Sequence, residues 1–155
     1  MSKEDFEGLV AEVTGAIAGK PLDAALEAEL NAKFPPAHPT FRAIEAACHA
    51  TIGAGWMCNR EAGGIKYGRV TKPSPALAGF SIDVVDMKEC KGPHHRHPNG
   101  EIDMIMPIVP GAKFDGHPAG WRVYGPGTAH YPTVSGGEAL VLYLLPDGAI
   151  EFTKT

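Results

Sequence analysis

Cysteine is scarce: Cys48, Cys58 and Cys90 are the three in 155 residues, widely spaced and without a C-x-x-C pair. An odd, scattered set excludes a disulfide framework and fits reduced, buried thiols in a cytoplasmic protein. Long hydrophobic runs are missing as well. None approaches the roughly 20 apolar residues needed to cross a bilayer, and the opening "MSKEDFEGLV" has neither the cationic nor the apolar region of a signal peptide. Positive charge is in deficit, with 14 Lys and Arg against 18 Asp and Glu and a net charge of −4. No basic stripe or aromatic-interleaved Lys/Arg run occurs, so neither nucleic acid nor a membrane is expected as a partner. What is present suffices for a single domain, since a chain of this length buries roughly 68–70% of its unfolded surface without staples.

The apolar period changes along the chain. Residues 1–53 read as helical. Phe6, Leu9, Val10, Val13 and Ile17 form one stripe, with Ser2 and Asp5 placed for an N-terminal cap. Pro21 suits the first turn of a second helix carrying Leu22, Leu26 and Leu30. Thr40 suits the cap of a third, carrying Phe41, Ile44, Cys48 and Ile52. Residues 54–155 read as short strands between Gly/Pro turns: "GIKYGRV", "GFSIDVVDM", "EIDMIMPIV", "GWRVYG", "EALVLYLL" and "AIEFT". The predicted class is α+β, mainly β: a small antiparallel sandwich or barrel with the helical segment packed on it. "EALVLYLL" is apolar on both alternating faces and should be covered on both.

The segment "GPHHRHPNGEIDMIMP" holds the chemistry. Strand alternation turns His95 and His97 to one side and Arg96 to the other. Pro98-Asn99-Gly100 is turn chemistry that brings Glu101 back toward the pair. Neutral imidazoles with a carboxylate are donors for a divalent transition metal, and they accept iron, manganese, zinc, nickel or copper. His94 has the wrong strand parity to join them, and His117 in "DGHPAG" reads as a turn. If Glu101 points inward, so do Asp103 and Ile105, leaving Ile102, Met104 and Met106 on a face that needs cover from the helices or a dimer partner. A homodimer is therefore expected. Ile65, Tyr67 and Arg69 share a strand face, which makes Arg69 a candidate clamp for a substrate carboxylate or else a rim arginine paired with an acid. Trp56, Arg60 and Glu61 precede that strand and suit the mouth of a site for an aryl carboxylate.

"GWRVYGPGTAHYPTV" completes a pattern, with a Pro126-Gly127 turn followed by His130. The two segments resemble the paired motifs of the cupin superfamily over roughly residues 55–155. That resemblance implies that His95, His97, Glu101 and His130 are four metal ligands inside a small cupin β-barrel. The chain departs from the pattern at turns: Glu89 stands where glycine is usual, the second motif is one residue short before His130, and Val134 replaces an asparagine. Over most of its length the chain also resembles the 4-hydroxylaminobenzoate lyase family, on the two segments above, on "GWMCNREAGGIKYGRV" and on the C-terminal run from "SGGEALVLYLL" to "AIEF". The resemblance implies a metal-dependent lyase that turns 4-hydroxylaminobenzoate and water into 3,4-dihydroxybenzoate and ammonia, in bacterial nitroaromatic degradation. Glu61 and Tyr67 are then candidates for proton transfer, and Arg60, Arg69 and Trp56 for substrate contact. Two alternatives use the same residues, a cupin dioxygenase of a small aromatic and a non-catalytic small-molecule binder.

Overall fold

The computed structural model describes residues 2–55 and 57–153, so Trp56 lies outside the described residues. Three helices come first: α1 (Lys3–Ile17), α2 (Ala24–Lys33) and α3 (Pro39–Gly53). Ten strands follow: β1 (Arg60–Ala62), β2 (Ile65–Thr71), β3 (Phe80–Lys91), β4 (His95–His97), β5 (Glu101–Pro107), β6 (Lys113–Phe114), β7 (Gly120–Tyr124), β8 (Thr128–His130), β9 (Thr133–Pro146) and β10 (Glu151–Phe152). None of the described helices is long and apolar enough to cross a membrane.

Two of the three expected helix starts are corrected. Ser2 and Asp5 do form a reciprocal capping box on α1. Asp23, however, caps α2 by accepting the Leu26 N–H at 2.9 Å, which leaves Pro21 ahead of the helix. His38 caps α3, with Pro39 in the first turn, by accepting the Thr40 N–H at its Nδ1 at 3.0 Å; Thr40 lies inside the helix and donates its hydroxyl to Glu12 at 2.9 Å.

The strands form two antiparallel sheets. The larger runs β1-β2-β3-β9-β5-β7 with β6 also on β9, and the smaller runs β10-β4-β8. No backbone ladder joins them among the described residues, so the architecture is a sandwich of a large and a small leaf instead of a hydrogen-bonded closed barrel. One face of the large sheet carries Ile82, Val84, Ile102, Met104, Met106, Leu140, Leu142 and Leu144 into a core shared with Phe6, Val10, Leu30 and Phe41 of the helices. The methionine-lined face is thus covered by the chain's own helices, which removes one reason for the expected homodimer. Burying each such side chain contributes about 1.5–3 kcal/mol. The opposite face carries Ile105, Val141, Tyr143 and Leu145 beneath the small sheet. β9 is therefore buried on both faces, as its sequence requires. Glu89, standing where the pattern has glycine, adopts φ 39° at a bulge between β3 and β9. The turn keeps its left-handed geometry without the residue best suited to it.

Helix α2 closes the exposed edge of the large sheet. The Asn31 side chain donates to the Trp121 carbonyl and accepts the Trp121 N–H, both at 2.9 Å, acting as an extra rung of the ladder. Glu27 accepts the Val123 N–H at 2.8 Å and pairs with Arg122 at 3.1 Å. These contacts blunt an edge that would otherwise offer free backbone groups, and they hold β7, whose Tyr124 reaches the site. Replacing Asn31 with alanine should cost about 1–3 kcal/mol, a fall of about 3–8 °C in the unfolding midpoint. An unchanged midpoint in a thermal melt would show that the amide is dispensable.

Candidate metal centre

The two sequence turns are knitted together at one oxygen. The His97 carbonyl accepts the Gly100 N–H at 3.2 Å and the Gly127 N–H at 2.7 Å. Gly100 has φ 88°, and a Cβ there would meet the Tyr124 carbonyl at 2.7 Å, so this position demands glycine on two counts. The turn delivers Glu101 onto β5, while β4 and β8 pair with His95 opposite His130. Arg96 points away and pairs with Glu151 at 3.3 Å.

The result is a cluster in which one donor atom from each of His95, His97, Glu101 and His130 lies within 4.8 Å of the others. His95 Nε2 and His130 Nε2 are 3.1 Å apart. Glu101 lies 3.2 Å from His97 Nε2, 3.6 Å from His95 Nε2 and 3.8 Å from His130 Nε2. Bonds of about 2.1 Å to a common ion imply donor separations of about 3.0–3.4 Å at octahedral or tetrahedral angles, so the cluster fits a cation with slight contraction. His97 Nε2 and both Glu101 oxygens are buried without a hydrogen-bond partner. Buried polar atoms are rarely left so, and a divalent metal is what this donor set accommodates.

The far sides of the rings fix which nitrogen faces the centre. Asp115 accepts from His130 Nδ1 at 2.6 Å, from the Thr133 N–H at 2.9 Å and from the Tyr124 hydroxyl. Thr128 donates its hydroxyl to the Gly125 carbonyl at 2.7 Å and so accepts from His97 Nδ1 at 3.0 Å. With both Nδ1 atoms protonated, Nε2 presents a lone pair inward. Burial raises the Asp115 carboxyl, but hydrogen bonds from His130 and Tyr124 outweigh it and hold the group below its ordinary value. Burial likewise pushes Glu101 up, and contact with His95 and His97 overrides it, leaving the carboxyl at about 2. Asp103, fully buried beside it, is driven far up by burial and by the Glu101 charge.

A cavity of about 840 Å³ opens from this centre between the sheets, with His95 in its wall. Arg60, Tyr67 and Arg69 line it as well. Arg69 is already engaged, bidentate to Asp83 at 3.0 and 3.1 Å and bonded to the Gly148 carbonyl at 3.2 Å. Arg60 has no ion-pair partner among the described residues. Glu61 does not line the cavity: it alternates with Arg60 and Ala62, which do, and sits in register with Lys66 on the other face. His94 hydrogen-bonds Thr153 and packs on Tyr131, 4.7 Å between rings. Sequence reasoning missed Asp115, Thr128, Tyr124 and Tyr143. Asp115 sits in an Asp-Gly turn that reads as a plain reversal, and Tyr143 could have been found by extending the alternation of β9.

Replacing His97 with alanine should remove most bound metal while the sheets stay folded; a folded variant that keeps its metal would show that the donor set is misassigned. Asp115→Asn should weaken metal binding about 10–100-fold in competition with a chromogenic chelator, and equal affinity would show that the His130 orientation is set elsewhere.

With this geometry in hand, the relatives are informative. The family model PnbB, 4-hydroxylaminobenzoate lyase, matches residues 8–152. A 4-hydroxylaminobenzoate lyase from Pseudomonas putida is 29% identical over 97% of this chain and 95% of its own. Another, from a Nocardioides species, is 32% identical over 84% of this chain and 82% of its own. Among solved structures, the DMSP lyase DddQ of Ruegeria pomeroyi is similar over 98% of both chains at 19% identity and a TM-score of 0.45. An RmlC-like cupin protein from Ralstonia eutropha is similar over 60% of this chain and 62% of that one, at 14% identity and a TM-score of 0.43. The match across nearly the whole length places this chain in the 4-hydroxylaminobenzoate lyase family.

Proposed function

We propose that the protein converts 4-hydroxylaminobenzoate and water to 3,4-dihydroxybenzoate and ammonia at the His95–His97–Glu101–His130 centre. The supporting observation is the convergence of four partly unpartnered donors, His95 among them in the wall of a cavity that also holds Arg60, which has no ion-pair partner among the described residues. A divalent cation bound there supplies a Lewis acid for the hydroxylamino oxygen. Overall, the N–O bond breaks with loss of water, a second water adds to the ring carbon beside the nitrogen, and a third hydrolyses the C=N bond to release ammonia. The N–O bond is the oxidant, so no external acceptor is needed.

The chain's own residues do the rest. Arg60 pairs with the substrate carboxylate. Arg69, neutralised by Asp83, forms wall in place of a second clamp. Tyr67 faces the cavity and carries the mobile proton. Tyr143 keeps its phenolic proton, because burial and the Glu101 charge push its pKa well up, and it serves as a hydrogen-bond donor. Ile65, Val85, Met87, Leu145 and Ile150 keep the ring region apolar, which limits competing water.

Under argon, metal-loaded protein should release ammonia and 3,4-dihydroxybenzoate in equal amounts. Turnover that requires and consumes oxygen would replace the lyase with a dioxygenase, and tight binding without turnover would leave a binder. Arg60→Ala should raise KM for 4-hydroxylaminobenzoate by about 10-fold or more while hardly changing KM for phenylhydroxylamine. Arg69→Ala should also raise the former, by exposing the Asp83 charge, and Arg69→Ala/Asp83→Asn should recover most of the loss. If the double variant is no better than the single one, Arg69 touches substrate directly.

A further inference from the structure

Phe152 is the most exposed large apolar side chain among the described residues, with 68% of its surface in water. It is nonetheless held in place. Phe152 pairs with His95 across β10 and β4, the Thr153 N–H donates to the His94 carbonyl at 3.0 Å, and the His94 ring meets the Thr153 hydroxyl. Alternation sends Ile150 and Phe152 to the cavity and Glu151 outward to Arg96. The Phe152 ring meets the His95 ring edge-on, with centroids 5.9 Å apart and planes at 67°. An aromatic ring carried on a hydrogen-bonded strand beside a candidate ligand, in the cavity wall and with most of its surface uncovered, is an unfilled contact surface. Its shape suits a flat π-system, since aromatic pairs stack at centroid separations of about 4.5–7 Å.

We propose that Phe152 recognises the substrate ring, stacking on the aryl group and selecting planar aromatic acids over aliphatic acids of equal size. This rests on the aryl-carboxylate reading of the cavity above. It assigns the two parts of the ligand to different sheets: the carboxylate to Arg60 on β1 and the ring to Phe152 on β10.

Benzoate and cyclohexanecarboxylate separate the two assignments, because they share the carboxylate and differ in the ring. In calorimetric titrations of the metal-loaded protein, the native chain should bind benzoate about 3- to 10-fold more tightly than cyclohexanecarboxylate. Phe152→Leu should bring that ratio close to one, mostly by weakening benzoate, with metal content and melting unchanged. Phe152→Tyr should preserve the ratio. A ratio that survives in Phe152→Leu, or an equal loss for both acids, overturns the stacking role and leaves the aryl-acid reading intact. A native protein that binds neither acid overturns the reading itself, and the stacking role with it.

Discussion

An ionised carboxylate and three imidazoles crowded into the interior is the constraint around which this protein is built. Glu101 and His97 have no exposed surface and His95 only 2%, so water cannot pay the solvation cost of the carboxylate. Burial and the Glu101 charge push neighbouring Asp103 up, and His97 and His130 aim nitrogen lone pairs at the same point. The arrangement makes electrostatic sense with positive charge at its centre, and that requirement ties the donor set to a cation more firmly than any spacing pattern does.

Everything nearby serves this arrangement. Asp115 and Thr128 rotate two of the rings, the Gly100 and Gly127 turns converge on the His97 carbonyl, and α2 seals the edge strand from which Tyr124 reaches Asp115. The helices cover the far face of the large sheet, leaving the near face free to carry polar chemistry. Catalytic polarity and structural apolarity are thus separated by the two-residue alternation of β5 and β9.

That alternation is why much of the site was legible in the sequence. His95, His97 and Glu101 are separated by a turn whose chemistry is local, and the inward set of Glu101, Asp103 and Ile105 follows from parity alone. What parity cannot supply is the pairing of distant strands. The engagement of Arg69 by Asp83 depends on β2 lying against β3, and the orientation of His130 depends on a turn fifteen residues upstream. Glu61 stays outside the cavity for a related reason: its neighbours line it, and one step along a strand reverses the face. Of the expected sandwich or barrel the chain forms the sandwich, because β4, β8 and β10 pair among themselves and no ladder joins them to the large sheet among the described residues.

The division of donors between the leaves has a mechanical consequence. His95, His97 and His130 all belong to the small leaf, and Glu101 alone belongs to the large one. A cation held there would rivet two plates that share no ladder among the described residues, through a single carboxylate arm. The plate that bears Phe152 would thereby be fastened against the plate that bears Arg60.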